Sequence, residues 1–337
     1  MVILLHLAIE DVMITLAPIA IDPAVATEVD PAHGSAPSGS GRGVRARRKP
    51  AEIVAEQHRR TEAAKARSLA KFAATVLQQE LPLWCDERRG VPNPMIRSAL
   101  FSSTAPKQRR FVKDEKVASL SNFTIRYTGE ELNQTDLSVW LAIMNLGRNQ
   151  PIGEPIYFTA YQVIKDVGFS MNKDSYTRVR ESIHRLKVTG LKIETSDAMR
   201  GYTGALIRTY SWDDSDPATG RSTWSVTLEP EIVRLFESDM VTYLFWEQRK
   251  RIGTKAHLAL FIHAFYATHR DPIPFSVEKL RDLSNSKEKC IHSFRKRLCI
   301  ALDKVKLVGA IKSWVIKGNM VYVEKAPYPK QPLALAN

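Results

Sequence analysis

Two stretches of the sequence place cationic side chains opposite an apolar helical stripe, an arrangement suited to contacting the phosphates and base edges of DNA. Apolar residues recur at steps of three and four from Tyr176 to Leu186 and from Ile291 to Val305, which predicts one buried face in each helix. Because a helix in the major groove contacts DNA through its outer face, we expect the outward side chains to bind DNA. The candidate DNA-binding residues are Lys173, Thr177, Arg178, Arg185, Lys287, Lys289, His292, Ser293, Arg295 and Lys296. Among them, the candidates for base contacts are Arg178, Arg185, Lys289 and Lys296.

An internal repeat relates the two helices. The segment from Glu154 to Thr159 recurs as Asp271 to Ser276, offset by 117 residues. Each copy predicts a short strand that ends at a hydroxyl residue suited to cap the next helix. A single basic helix face is usually only a solvated surface, but two such faces at equivalent positions of a repeat favour DNA binding.

Each copy also has a helical segment before the short strand and alternating apolar residues after the basic helix. The preceding helices are predicted at Asp136–Arg148 and Lys255–His269. The alternation predicts β-hairpins, from Leu191–Thr195, Gly201–Tyr210 and Ser222–Leu228 in the first copy and from Ile311–Ile316 and Met320–Val323 in the second. The order helix, strand, helix, helix, hairpin is that of the winged helix. We therefore predict an α+β fold with two tandem winged-helix domains, preceded by a flexible N-terminal region.

The region before the repeat has a different composition. Nine of the thirteen residues from Pro31 to Gly43 are Gly, Ser or Pro, which predicts a disordered linker. From Gly41 to Lys71, ten basic residues face three acidic ones, and the whole chain carries a net charge of +13, which indicates a polyanionic partner. The basic segment is either a solvated arm or a non-specific phosphate-binding arm. The predicted boundaries are 1–75 for the basic, partly helical region, 76–96 for a linker, 97–237 and 238–325 for the two domains, and 326–337 for a tail.

A short apolar peptide lies in the linker. Gln78 is followed by Leu81, Pro82, Leu83 and Trp84, and this pattern is similar to the peptide that docks on the sliding clamp of bacterial DNA polymerase. The candidate clamp-binding residues are Gln78, Leu81, Leu83 and Trp84. The alternative is that the apolar side chains of this peptide pack on the first domain.

The sequence contains none of the common enzyme motifs. It has no Walker lysine loop, GxGxxG, HExxH or Cys/His metal set, so we expect neither catalysis nor a cofactor or metal. The densest carboxylate cluster, Asp213 to Asp216, precedes Pro217 and is typical of a hairpin tip. Three cysteines without a CxxC pair favour a reducing compartment, and no apolar run long enough for a membrane helix occurs, so we expect a cytoplasmic protein.

Five segments between about Gln78 and Glu324 match the landmarks of a known family: Ile96–Phe101, Tyr127–Leu132, Pro151–Ile156, Trp246–Glu247 and Ser313–Val315. Through these segments the stretch resembles the TrfA replication initiators of broad-host-range plasmids. The resemblance implies tandem winged helices that bind repeated sites, called iterons, in the double-stranded DNA of a plasmid origin and open the adjacent A·T-rich duplex. It also implies recruitment of the host replicative helicase and of the sliding clamp, with a clamp-binding peptide before the first domain. The single-stranded DNA of the opened origin is a further expected partner, and both a monomer and a homodimer are compatible with the sequence.

The principal hypothesis is therefore a non-enzymatic plasmid replication initiator. A winged-helix transcriptional regulator, which would use the same DNA-binding residues, is the alternative. A metal-dependent nuclease or relaxase using Asp213, Asp214 and Asp216 is a third hypothesis, for which we expect no cleavage of plasmid DNA in the presence of Mg²⁺.

Overall fold

The fold is known from a computed structural model, which describes residues 56, 58–63, 81, 84–120, 123–195, 201–213, 222–236 and 240–327. The chain divides into two units, Met1–Arg59 and Arg60–Asn337. In the first unit, residues 56, 58 and 59 are helical. All elements named below belong to the second unit, which we divide into a first region, residues 84–252, and a second region, residues 257–327.

The first region is a mixture of helices and antiparallel strands. Its elements are β1 (Arg88–Pro92), α1 (Asn93–Ile96), a 3-10 helix (Pro106–Gln108), β2 (Phe111–Val117), β3 (Phe123–Glu130), α2 (Gln134–Leu146), β4 (Ile156–Phe158), α3 (Ala160–Val167), α4 (Lys173–Lys187), β5 (Gly190–Thr195), β6 (Gly201–Gly204), β7 (Ile207–Asp213), β8 (Thr223–Leu228), a 3-10 helix (Pro230–Phe236), β9 (Val241–Phe245) and α5 (Trp246–Ile252). Both α2 and α3 begin with a capping box, formed by Asn133 with Asp136 and by Thr159 with Gln162. These caps satisfy backbone N–H groups that would otherwise lack partners.

The second region is smaller and follows the predicted order. Its elements are α6 (His257–Ala267), β10 (Phe275–Ser276), α7 (Val277–Leu283), α8 (Ile291–Leu307), β11 (Ile311–Lys317) and β12 (Met320–Lys325). Ser276 accepts a hydrogen bond from the backbone N–H of Lys279, as predicted for a cap. The hairpin β11–β12 turns at Gly318, whose φ of +58° favours glycine. It forms one sheet with β10, in the order β10-β12-β11.

The strands of the first region form three sheets. Strand β1 pairs with β9; β2, β3, β5 and β6 form a second sheet; and β4, β8 and β7 form a third. Antiparallel pairing after α4 is therefore present as predicted, between β5 and β6 and between β7 and β8, but the two pairs belong to different sheets. Strand β5 pairs with β3, where Ile193 faces Ile125, whereas β8 pairs with β4. An alternating apolar pattern shows which side chains are buried but not which distant strand they face, so the sequence did not reveal this division.

The described residues of the second unit form two hydrophobic cores. The first contains residues from Leu81 to Trp246, together with Ala264, and thus passes the predicted boundary at residue 237, and the second contains residues from Ile252 to Val323. Helix α6 serves both, because Ala264 packs in the first core while Phe261 and Phe265 pack in the second. Hydrogen bonds also join the regions, among them one of 2.7 Å from the Ser103 N–H to the Ser284 carbonyl. The two regions therefore meet through packed and hydrogen-bonded surfaces.

The described residues thus form an α+β structure with antiparallel sheets. Among them, no helix is both long enough and apolar enough to span a bilayer.

Candidate nucleic-acid interface

The outer face of α4 is polar and partly cationic. Val179, Ile183 and Leu186 are fully buried, as the apolar stripe predicts, but Tyr176, the first residue of that stripe, is 40% exposed. The helix is capped by Asn172, whose side chain accepts the Ser175 N–H. Lys173 and Thr177 are exposed on the opposite side. Arg178 lies at the edge of this face, with its guanidinium 5.1 Å from the centre of the Phe169 ring. Such a cation–π contact orients the arginine without consuming its hydrogen-bond donors.

Arg185 lies in the interior, so the prediction that it contacts a base is wrong. Only 6% of the residue is exposed, and its Nη2 donates to Asp136 Oδ1 at 3.0 Å. Asp136 is itself fully buried at the first turn of α2 and also accepts from Arg109 Nη2, at 2.9 Å, and from Ser182 Oγ, at 2.6 Å. A buried carboxylate needs such partners, and Arg185 stands on the flank of α4 that faces it. Burial lowers the pKa of the Arg109 guanidinium, and the adjacent Asp136 carboxylate opposes that shift.

The outer face of α8 is open over its first two turns. Phe294, Leu298, Leu302 and Val305 are fully buried, which confirms the second stripe. The structure leaves Lys289, His292 and Lys296 exposed, and Ser293 and Arg295 half-buried. Four of these residues lie in the first two turns of α8 and Lys289 lies two residues before the helix, so the five can approach a polyanion together.

Lys287 stands apart from this group because it joins the two regions. Its Nζ lies 2.7 Å from Oε1 of Glu131, a buried carboxylate that also accepts hydrogen bonds from Asn285 and Arg110. Burial by itself would raise the pKa of Glu131, but the hydrogen bonds from Lys287, Arg110 and Asn285 outweigh it and hold that pKa below its usual value. The structure therefore assigns Lys287 to the contact between the regions instead of to an open face.

The predicted clamp-binding peptide is partly buried. Leu81 is 2% exposed and Trp84 8% exposed, and both belong to the first core, whereas Gln78 and Leu83 lie outside the described residues. The Trp84 Nε1–H donates to Asn145 Oδ1 at 3.0 Å. Its ring packs so closely on Gly90 that a Cβ at residue 90 would lie 2.9 Å from Trp84 Cε3. For Leu81 and Trp84 the packing alternative therefore holds, and these side chains are not displayed for a partner.

A groove across the second half of α4 was not anticipated from the sequence. It has a volume of about 600 Å³ and is lined by Pro106, Lys107, Arg109, Glu130, Arg180, Glu181, His184, Arg185, Tyr210 and Trp212. Residues from α4 form its floor, the 3-10 helix at Pro106–Gln108 stands on one side, and β7 stands on the other. The signal that could have found it is the spacing of Tyr210 and Trp212, which places two aromatic rings on the same face of one strand.

Among the described residues, no group of three or more His, Cys, Asp or Glu side chains is arranged to hold a metal ion. Asp213 ends β7, while Asp214 and Asp216 lie outside the described residues.

Comparison with known proteins identifies related sequences and structures. A family model described as TrfA protein matches residues 49–325. The plasmid replication initiator protein TrfA of Escherichia coli is 29% identical over 245 residues, which cover 72% of this chain and 63% of that protein. The match thus spans less than two thirds of that relative's length. Two crystal structures of RctB domains 2 and 3 are similar, one with a TM-score of 0.46 and 12% identity over 69% of this chain and 97% of that one. The other has a TM-score of 0.45 and 14% identity, over 68% and 95% of the two chains.

Proposed function

The chain belongs to the TrfA family, and from this premise we propose that it is a plasmid replication initiator that binds iterons in an origin and opens the adjacent A·T-rich duplex. The observation that carries the proposal is the family match, which covers residues 49–325 and includes both basic helices. In this proposal the protein acts without catalysis, because the free energy of binding drives the deformation of the DNA. Such deformation costs a few kcal/mol, and contacts on several iterons offset it.

We propose that each region is a winged helix and that α4 and α8 are its DNA-contacting helices. The support is that both regions contain the order helix, short strand, helix, helix and hairpin, with the basic helix at the same position. The exposed candidates for DNA contact are then Lys173, Thr177, Lys289, His292 and Lys296, joined by the partly exposed Arg178, Ser293 and Arg295. Phosphate contacts would provide most of the affinity, and the net charge of +13 favours them.

The proposed partners are origin DNA, both as duplex and as the single strands of the opened region, the host replicative helicase and the sliding clamp. Clamp binding through the linker peptide requires Leu81 and Trp84 to leave the first core, because both are buried there. A homodimer is a further proposed state, and the cytoplasm, where plasmid DNA is replicated, is the proposed location.

A gel-shift experiment over a salt series tests the proposal. The full chain is titrated against a duplex carrying the direct repeats of its own replicon and against unrelated duplex of equal length. We expect tighter binding to the repeats and a steep loss of affinity with salt, because log K falls by about 0.9 per phosphate contact for each unit of log salt concentration. Equal affinity for both duplexes, or an affinity that does not change with salt, contradicts the proposal.

Two further measurements separate initiation from the other DNA-binding functions. A regulator would bind the repeats without opening them, so permanganate footprinting of the A·T-rich duplex should show unpaired thymines only for an initiator. A nuclease or relaxase would nick supercoiled plasmid in Mg²⁺, and we expect none.

A further inference from the structure

The groove across α4 is lined by cationic and by aromatic side chains. Neither the DNA contacts proposed for the basic helices nor the clamp-like peptide needs this combination. Its cationic residues are Lys107, Arg109, Arg180 and Arg185, its carboxylates are Glu130 and Glu181, and His184 also lines it. Its aromatic wall consists of Tyr210 and Trp212 on β7. The groove's volume of about 600 Å³ is within the range of small-ligand sites, and the groove is open to solvent along one side.

The aromatic wall continues one face of the sheet β4-β8-β7. Across the three strands, Phe158 of β4 pairs with Trp224 of β8, which pairs with Trp212 of β7, so the three rings lie on one face of the sheet. Phe158 and Trp224 are buried in the first core, whereas 49% of Trp212 is exposed. Strand β7 therefore presents to the groove part of an aromatic face that β4 and β8 use for packing.

The orientation of Trp212 is held by its neighbours. Its ring stacks on Tyr210, with ring centres 5.0 Å apart and planes at 30°. The guanidinium of Arg180, from α4, lies 5.1 Å from the centre of the Trp212 ring and 5.3 Å from that of Trp224. A ring held by these contacts is a rigid surface on which a base can stack. It is not a mobile side chain that could insert between two base pairs.

The cations on the opposite side are held in place as well. Asp136 binds Arg109 and Arg185, at 2.9 Å and 3.0 Å, and both guanidinium groups also lie within 4 Å of Glu130, so these two cations are ordered and already paired. Lys107 is exposed on the 3-10 helix. The exposed ammonium of Lys107 is therefore the group of this lining best placed to attract an anion such as a phosphodiester.

We propose that this groove binds an unpaired nucleotide of single-stranded DNA, with a base stacked on Trp212 and its phosphate near Lys107. The inference rests on the proposed initiator function, for which it names a site for the strand that origin opening releases. In a duplex, base faces are covered by neighbouring base pairs, so an aromatic surface of this kind has a use only when a base is unpaired. A cationic track beside a stacking surface is the combination by which proteins hold single strands.

The test uses the full chain and a fluorescein-labelled oligo(dT) probe, with binding followed by fluorescence anisotropy. Trp212→Ala is expected to weaken binding to oligo(dT) about tenfold, whereas Trp212→Phe, which keeps a ring, should retain most of the affinity. Lys107→Ala should lower the salt dependence by about 0.7 in the slope of log K against log salt concentration. The matched control is Tyr157→Ala, because Tyr157 is 71% exposed in the same sheet but pairs with Ser225 and so lies on the opposite face.

Binding to duplex direct repeats is measured for every variant in parallel. A loss for Trp212→Ala that is larger with oligo(dT) than with duplex, together with retention by Trp212→Phe, supports the proposal. Unchanged binding of oligo(dT) by Trp212→Ala, an equal loss for Tyr157→Ala, or an equal loss with duplex overturns it. If the unaltered chain does not prefer its repeats to unrelated duplex, the initiator function fails, while the comparison of Trp212 with Tyr157 on oligo(dT) still decides the groove.

Discussion

Helices α4 and α8 occupy the same place in the two repeated regions, yet a cation at an equivalent position is buried in one and exposed in the other. Their buried stripes align in sequence with an offset of 119 residues. This offset relates Val179, Ile183 and Leu186 to Leu298, Leu302 and Val305, and Gly190 to Gly309. At this offset, Arg185 corresponds to Lys304. Arg185 is buried against Asp136, whereas Lys304 is exposed.

The cause of this difference lies in the helix that packs beneath each basic helix. Helix α2 carries Asp136 in its first turn, as part of a capping box, and the carboxylate points to the flank of α4. Helix α6 begins instead after Ala256, with the apolar first turn His257 to Leu260. An arginine beside a buried carboxylate is drawn inward, and Lys304, which is exposed, stays in water. The same position on the same kind of helix therefore anchors the fold in one region and faces solvent in the other.

The largest expected effect comes from removing the anchoring carboxylate. Asp136→Asn removes from the buried guanidinium groups of Arg109 and Arg185 their nearest counter-charge and leaves the more distant Glu130, and we expect a loss of about 3–5 kcal/mol in the free energy of unfolding. Urea denaturation followed by circular dichroism measures it. The control is Asp282→Asn, an exposed carboxylate of α7 whose replacement should change stability by less than about 0.5 kcal/mol. If Asp136→Asn cost as little as its control, the comparison between α4 and α8 would be wrong.

Local order was predictable from the sequence, and partners across space were not. The stripes of α4 and α8, the caps at Thr159 and Ser276 and the hairpin β11–β12 follow from spacing and residue type alone. The burial of Arg185 was missed because its place on the edge of the stripe is decided by Asp136, 49 residues earlier. The groove was missed for the same reason, since it forms only where the 3-10 helix, α4 and β7 meet.

The site residues divide along the same line. His292 and Lys296 on α8 were identified correctly as exposed, because a helix wheel shows which side faces away from the core. The positions of Lys287 and Trp84 were not predicted correctly, because the residues that bind them, Glu131 and Asn145, are far away in the chain.

A second difference between the regions is a buried histidine, and it predicts that the free energy of unfolding depends on pH. The second region buries His263 on α6, and burial, reinforced by the nearby Arg249, lowers its pKa from 6.5 to about 3. As the pH falls below 6.5, the unfolded chain takes up a proton at this position and the folded chain does not, so folding loses stability until the pH approaches 3. Between pH 6.5 and 5 the loss from this residue is about 2 kcal/mol.

The measurement for this prediction is urea denaturation at several pH values. His263→Gln cannot titrate, so its free energy of unfolding should fall less steeply than that of the unaltered chain between pH 6.5 and 5. From pH 7 to 8, where the histidine is neutral in both states, the two curves should run parallel. Equal slopes below pH 6.5 would mean that His263 does not contribute to the difference between the regions.

The smallest effect is expected where a cation on the open helix is reversed. Lys296 is exposed on α8 at the position that corresponds to Thr177 on α4, so Lys296→Glu places a carboxylate where we propose that DNA approaches. We expect about tenfold weaker binding to the direct repeats, equivalent to about 1.4 kcal/mol, and a reduction of about one in the salt slope. The matched control is Lys304→Glu, which makes the same charge change on the same helix, nearer its C-terminal end. Because long-range repulsion would act on both variants alike, a larger loss for Lys296→Glu identifies a local contact, and equal losses would show that α8 contributes only net charge.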